Sequence, residues 1–236
     1  MLSIVIITKN EEKLLPKLLK SIRKQTFLDY EIIVADANSS DNTKKIAELS
    51  GCKVVKGGLP AIGRNNGAKK TKGDMLLFLD SDVILHDRNF LKKSLKHFKR
   101  KKLGIQYNAL LPISRKIIDH VMHFVSNQYL KIMQYIKPMG GGACIFVKKE
   151  IFDRVKGFDK NLMIGEDHNF IERCTKISKF RFCKYPVKIS VRRFETDGRI
   201  NIMYKYTMHT LYRWFTGREV TIKDKREVFQ YHFNHK

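Results

Sequence analysis

No uncharged apolar run in this 236-residue chain approaches the ~18 residues that a membrane-spanning helix needs. Acidic residues are scarce, with 23 Asp and Glu against 47 Lys and Arg, for a net charge of +24. Cys52, Cys144, Cys174 and Cys183 are scattered and form no C-x-x-C pair. That argues against a zinc site or a disulfide frame and for reduced thiols in a cytosolic compartment. Internal repeats and low-complexity linkers are missing as well. No G-x-G-x-x-G and no Walker lysine loop follows the first strand-like run, which disfavours a dinucleotide fold and a P-loop. That run, Leu2 to Ile7, ends almost at once in Lys9 and Glu11, so it reads as a strand and not as a signal peptide. The expected state is cytoplasmic, either soluble or resting on the cytoplasmic face of a membrane.

What is present describes a folded protein. A hydrophobic content of 43% with 11% aromatics suffices for a proper core, and the length suits one domain. The basic excess favours polyanionic partners: nucleic acid, anionic lipid headgroups or phosphorylated substrates. A merely solvated basic surface is the plainer alternative.

Strand-like and helix-like segments alternate through the first half. Strands are expected at Ser3 to Thr8, Glu31 to Ala35, Lys53 to Val55 and the run before Asp80. Between them fall helices from Glu11, with the apolar face Leu14, Leu15, Leu18, Leu19 and Ile22, from Asp41 to Ser50 closed by Gly51, and from Ala61 to Lys70. This β-α-β-α pattern implies a parallel sheet with helices on both faces. Beyond it the expected elements are helices Asn89 to Lys101, Ser114 to Ile136, Asn169 to Ser178 and Asn201 to Phe215, and strands Ala143 to Val147 and Phe180 to Tyr185.

The run Met75-Leu76-Leu77-Phe78-Leu79 is too short for a helix and too uniformly apolar for a half-exposed strand, so it reads as a strand covered on both faces. It ends in Asp80-Ser81-Asp82, where open α/β sheets keep their ligand crevice. Carboxylates at i and i+2 of an extended segment point the same way. Hard oxygen donors without His or Cys suit Mg²⁺ or Mn²⁺ carrying a phosphorylated substrate. An Asp-Ser turn that caps the next element is the plain alternative. Asp36 ends the second strand beside it, where it can accept from a nucleobase or a ribose hydroxyl. His120 and His123, three apart on a helix, are read as a half-buried face and not as a metal pair.

These residues together resemble the family 2 glycosyltransferases of GT-A fold. The likeness runs in order through Ser3 to Glu11, Gln25-Thr26-Phe27, Asp36 to Asp41, Ala61 to Ala68, Gly73-Asp74 and Asp80-Ser81-Asp82. It resumes at Gly141-Gly142-Ala143, Gly157-Phe158-Asp159 and Gly165-Glu166-Asp167, covering roughly residues 1–195. The resemblance implies a single GT-A domain over 1–236, with a mixed, mainly parallel sheet. Residues 1–105 would bind the nucleotide sugar and 106–200 the acceptor, and 201–236 would add an amphipathic helix and basic tail. It implies an inverting, metal-dependent transfer from a nucleoside diphosphate sugar. Asp80 and Asp82 would hold Mg or Mn, with Asp82 the closer contact and Asp80 also on the ribose. Thr8, Glu11, Asp36 and Arg64 would line the nucleotide site, and Asp167 would be the catalytic base. Apart from the resemblance, Arg192-Arg193 follow the last expected strand and make a basic cluster with Arg199; with Glu166 they are read as phosphate or acceptor contacts, a solvated basic loop being the plain alternative.

Two departures from the family pattern stand out. Ala37 replaces a second carboxylate that often meets the base, and Asn169 follows Glu166-Asp167 where a carboxylate is usual. The acceptor is expected to be a glycan or a lipid-linked hydroxyl or phosphate, approached at an anionic membrane surface through the helices Ser114 to Ile136 and Asn201 to Phe215. The rivals are a nucleotidyltransferase acting on sugar phosphates and a basic nucleic-acid-binding protein. The first lacks a triphosphate loop, and the second leaves the strand-end carboxylates unexplained, so no nucleic-acid partner is expected.

Overall fold

The computed structural model describes residues 1–162, 164–216 and 221. The expected basic tail from Gly217 lies almost wholly outside them. Elements follow in the order β1 (Leu2–Thr8), α1 (Leu15–Arg23), β2 (Tyr30–Asp36), α2 (Thr43–Leu49), β3 (Lys53–Lys56) and α3 (Pro60–Ala68). The middle of the chain forms β4 (Met75–Asp80), β5 (Val83–Ile84), α4 (Phe90–Arg100), β6 (Ile105–Ile113), α5 (Ile117–Met133) and β7 (Cys144–Lys148). Then come α6 (Lys149–Arg154), α7 (Glu166–Thr175), β8 (Phe180–Ser190), α8 (Arg192–Thr196) and α9 (Arg199–Thr216).

One eight-stranded sheet runs in the order β3-β2-β1-β4-β7-β6-β8-β5. The first four strands in that order are parallel, as their helical crossovers require. From β7 onward the sheet is mixed: β7 is antiparallel to both β4 and β6, and β8 is parallel to β6. The sheet is thus mixed, as the resemblance implies, with β1 to β4 forming its all-parallel part.

β4 sits near the middle, and its apolar run is divided between two cores. Leu77 and Leu79 pack with Ile4, Ile6, Leu15, Leu18 and Phe98 on one face. Leu76 and Phe78 pack with Val5, Ile145, Phe152 and Phe170 on the other. Alternation with both faces covered explains why the run shows no polar residue. Each of the four β4 side chains Leu76 to Leu79, buried to 1% exposure or less, contributes roughly 1.5–3 kcal/mol by leaving water.

Sequence patterning misses β6 because its buried side chains include two amides. Gln106 Nε2 donates to Asn108 Oδ1 at 2.9 Å, and Asn108 Nδ2 donates to Ser94 Oγ and to the Tyr185 carbonyl. The network is satisfied inside the sheet, so polarity there does not signal a loop. α7 begins at Glu166 and not at Asn169, which brings the Glu-Asp pair into its first turn. All four cysteines are buried thiols.

Candidate active site

β1 and β2 lie in register with Thr8 opposite Asp36, and Thr8 Oγ1 donates to Asp36 Oδ2 at 2.9 Å. Asp36 also accepts from the Ser39 amide and hydroxyl, at 2.8 and 2.6 Å. The two turns beyond these strands are stitched together. The Asn10 and Glu11 amides donate to Ser39 Oγ and Thr43 Oγ1, and Ser40 N donates to Asn10 Oδ1. Asn10 adopts a left-handed φ of 54°, which Asn tolerates well. Asn38 to Asp41 thus form a polar turn, and Ala37 donates its amide to the Thr8 carbonyl.

β4 ends at Asp80, and Ser81-Asp82 form a turn, so the extended geometry that would align Asp80 with Asp82 does not hold. Asp80 turns toward Arg64. Asp82 lines a cleft of about 180 Å³ with Leu14, Lys17 and Ser190. Their charges still meet: burial, and after it Asp80 and Glu11, push the Asp82 carboxyl up to about 7, against the pull of Arg192. Among the described residues no three His, Cys, Asp or Glu side chains converge tightly enough to hold a metal unaided. Mg²⁺ and Mn²⁺ with a diphosphate need only one or two protein carboxylates. The buried Asp82 carboxylate, with the Asp80 charge beside it, fits a hard divalent cation.

Arg64, on α3, is the centre of the cleft. Its side chain is 3% exposed, and Nη2 donates to Asp80 Oδ1 at 2.9 Å while Nη1 donates to Glu166 Oε1 at 2.8 Å. Burial opposes its charge, but Asp80, Glu166 and Asp167 more than offset that and keep the guanidinium protonated. The plane rests over the Phe158 ring, 5.3 Å from the centroid. A Cβ at Gly142 would overlap the guanidinium, which explains the glycine there. Gly157 stands at φ +68° against Asn65, whose amide brackets the Phe158 backbone with bonds of 2.7 and 2.9 Å. The separated motifs at Arg64-Asn65, Gly141-Gly142 and Gly157-Phe158 form one contact set.

Glu166 and Asp167 stand in the first turn of α7, where the helix dipole favours them. Asp167 Oδ1 accepts from the His168 amide at 2.7 Å. Burial raises the Asp167 carboxyl above its ordinary range, and Arg64 opposes the shift. Glu166 is likewise raised, by burial first and then by the Asp167 charge. Asn169 does not face the cleft. It accepts from Arg173 Nε, and Arg173 ties down the carbonyls of Val155 and Gly157.

The expected arginine cluster separates. Arg192 grips Glu11 with bonds of 2.7 and 3.2 Å, beside the Asp82 charge. Arg193 approaches the Tyr206 hydroxyl at 3.5 Å, and Arg199 pairs with Asp119. His120 and His123 bond to the carbonyls of Ser114 and Asp119, as a structural helix face would. Sequence reasoning missed Tyr206, whose hydroxyl accepts from Arg193 and is pushed up by burial. One more aromatic on an aromatic-rich helix gave no signal. It also missed the contact of His168 with His209, ring centroids 6.4 Å apart, which joins α7 to α9.

Comparison with known proteins places this geometry. Residues 3–155 match the model described as Glycosyl transferase family 2. A 4,4'-diaponeurosporenoate glycosyltransferase of Staphylococcus haemolyticus is 37% identical over 91% of this chain and 60% of its own length. The Escherichia coli UDP-Glc:alpha-D-GlcNAc-diphosphoundecaprenol beta-1,3-glucosyltransferase WfgD is 30% identical, covering 62% of this chain and 59% of its own. The chain thus spans about 60% of the length of these relatives. Among solved structures, S. aureus TarS 1-349 in complex with UDP superposes with a TM-score of 0.66 at 20% identity, covering 80% of this chain and 60% of that one. The Pyrobaculum calidifontis mannosyltransferase PcManGT in complex with GDP-Man and Mn2+ gives 0.63 at 18% identity, over 80% and 56%. The shared architecture is GT-A, as the motif order implies. Given the extent of the family match, the chain belongs to glycosyl transferase family 2.

Proposed function

We propose that the protein is a metal-dependent, inverting glycosyltransferase that moves a sugar from a nucleoside diphosphate to a lipid-linked acceptor. The observation that carries this reading is the buried guanidinium of Arg64, bonded to Asp80 on one side and Glu166 on the other. It ties the donor-side carboxylates to Asp167.

Thr8, Asp36 and Glu11 form the nucleoside side of the cleft, in the half formed by residues 1–105. Residues 106–200 supply the acceptor side. Asp80 and Asp82 would hold Mg²⁺ or Mn²⁺, which neutralises charge on the leaving diphosphate. Asp167 takes the proton of the acceptor hydroxyl as that oxygen bonds to the anomeric carbon and the bond from that carbon to the diphosphate oxygen breaks. Burial makes Asp167 a stronger base than a solvated carboxylate. Attack from the face opposite the leaving group inverts the anomeric centre. Arg192 and Arg193, at the mouth of the cleft, are phosphate contacts in this reading, and Arg192 would exchange Glu11 for the diphosphate.

Relatives support the choice of substrates. TarS has been captured with UDP, PcManGT with GDP-Man and Mn2+, and WfgD is named for a diphosphoundecaprenol acceptor. The nucleotidyltransferase and nucleic-acid readings give way to the family match. The test is incubation of the full chain with UDP- and GDP-sugars, Mn²⁺ and a polyprenyl-diphosphate sugar acceptor. Nucleoside diphosphate release with an inverted product anomer, read by NMR, is expected. A retained anomer, or release of a nucleoside monophosphate, would overturn the reading.

A further inference from the structure

Two helices of this fold wear their apolar stripes outward. α5 carries Ile118, Val121, Val125, Tyr129 and Ile132 at spacings of three and four, the periodicity that normally turns toward a core. Here the stripe faces solvent, with Ile118 47%, Val125 59% and Ile132 60% exposed. What α5 turns inward is partly polar: Asp119 is wholly buried, with Leu130 and Met133. α9 behaves likewise, burying Ile202, His209 and Arg213 while Tyr204, Trp214 and Phe215 stay exposed.

The two faces form one surface. Asp119 and Arg199 clasp the first turns together, with bonds of 2.6 and 2.9 Å. Ile118, Ile200 and Tyr204 line a hollow shared by those turns. Asp119 is the sole acidic residue in either helix, and it is buried against Arg199. Lys131 is exposed on α5 and Lys116 at its N-cap. The exposed residues of the two helices are thus apolar, aromatic, basic or uncharged polar, and the nearest exposed acids, Glu195 and Asp197, stand on the short α8 and its cap.

We propose that α5 and α9 together form a docking face for an anionic lipid bilayer, lying in the plane of the interface with their apolar residues at the headgroup–acyl boundary. Charge selects this occupant. A second copy docking through the same patch would set lysines against lysines with no acidic partner. The face also borders the cleft, since His209 on α9 lies beside His168, the neighbour of Asp167. This proposal deepens the lipid-linked acceptor reading: docking would bring the acceptor's reactive end toward Asp167.

Trp214 is the chain's single tryptophan, so its fluorescence reports this face alone. The full chain is mixed with phosphatidylcholine vesicles with or without phosphatidylglycerol, and with brominated versions of each. The expected result is a blue shift and bromine quenching on anionic vesicles, with co-sedimentation. The triple variant Ile117→Ser, Val121→Ser, Phe124→Ser, confined to exposed positions, should keep its circular dichroism and lose about tenfold in partitioning. Unchanged Trp214 emission on anionic vesicles overturns the proposal. So does a wild-type dimer, seen by light scattering, that the triple variant dissolves. Donor titration on the same samples separates the two readings. Wild-type protein that binds donor but no anionic vesicle overturns the docking face alone, and wild-type protein that binds vesicles but no donor overturns the transfer reading alone.

Discussion

Arg64 Nη2 lies 2.9 Å from Asp80 Oδ1, and that contact joins the two halves of the cleft, because Nη1 of the same guanidinium holds Glu166. A side chain only 3% exposed that carries both carboxylates cannot be removed without leaving them uncompensated. Arg64→Met should destabilise the protein by about 3–5 kcal/mol, as breaking a buried pair does. Urea unfolding of both proteins measures it, and a loss under 1 kcal/mol would mean that water replaces the guanidinium.

Asp82 supplies a pH test. Its folded carboxyl titrates at about 7 against 3.8 for the free group, through burial, Asp80 and Glu11. A raised carboxyl favours folding while protonated, and that advantage is lost as pH rises through 7. Without metal, Asp82→Asn should be more stable than wild type at pH 8, by about 2 kcal/mol after discounting for partial solvent access. The gap should close below pH 4. An equal stability at pH 8, in denaturant titrations with a chelator present, would remove the crowding of charge from the account.

Much of the cleft was legible in the sequence because strand ends carry its carboxylates. An apolar run that stops at Asp80, and a second at Asp36, locate the crevice from period and position alone. Contacts between distant segments were not legible. Arg64 and Glu166 are 102 residues apart, and no local pattern pairs them. β6 was hidden by Gln106 and Asn108, whose polarity imitates a loop until their partners are known. The basic run Arg192-Arg193, with Arg199, suggested one cluster, yet a short helix and a turn send the three to different acids. The outward stripe of α5 has the same spacing as a core-facing one, so only the fold distinguishes them.

Acid should loosen α9 before the rest. Arg199 donates to Asp119 and, with burial opposing, holds its carboxyl down to about 2. A depressed carboxyl contributes stability that is complete above its unfolded value of 3.8 and lost as pH falls toward 2. Trp214 emission should therefore change between pH 4 and pH 2. Arg199→Met should shift the change to higher pH. A transition at the same pH in both proteins would show that this pair does not anchor the helix.

The base assignment has a kinetic signature. Asp167→Asn keeps size and hydrogen bonding but cannot accept the proton, so kcat should fall by about 10²–10⁴, with donor affinity unchanged. Near-normal turnover at saturating substrates would move the base elsewhere, with Glu166 the first candidate.

The central claim, a divalent-cation site that receives a nucleoside diphosphate at the ends of β2 and β4, is tested most directly by calorimetry. UDP and GDP are titrated into the full chain and into Asp82→Ala, each with Mn²⁺ and with a chelator. The account predicts that one nucleotide binds wild type with Mn²⁺, and that chelation or Asp82→Ala weakens it by tenfold or more, about 1.4 kcal/mol. Binding of equal strength in all four conditions, or no binding of either nucleotide with Mn²⁺ present, would contradict it.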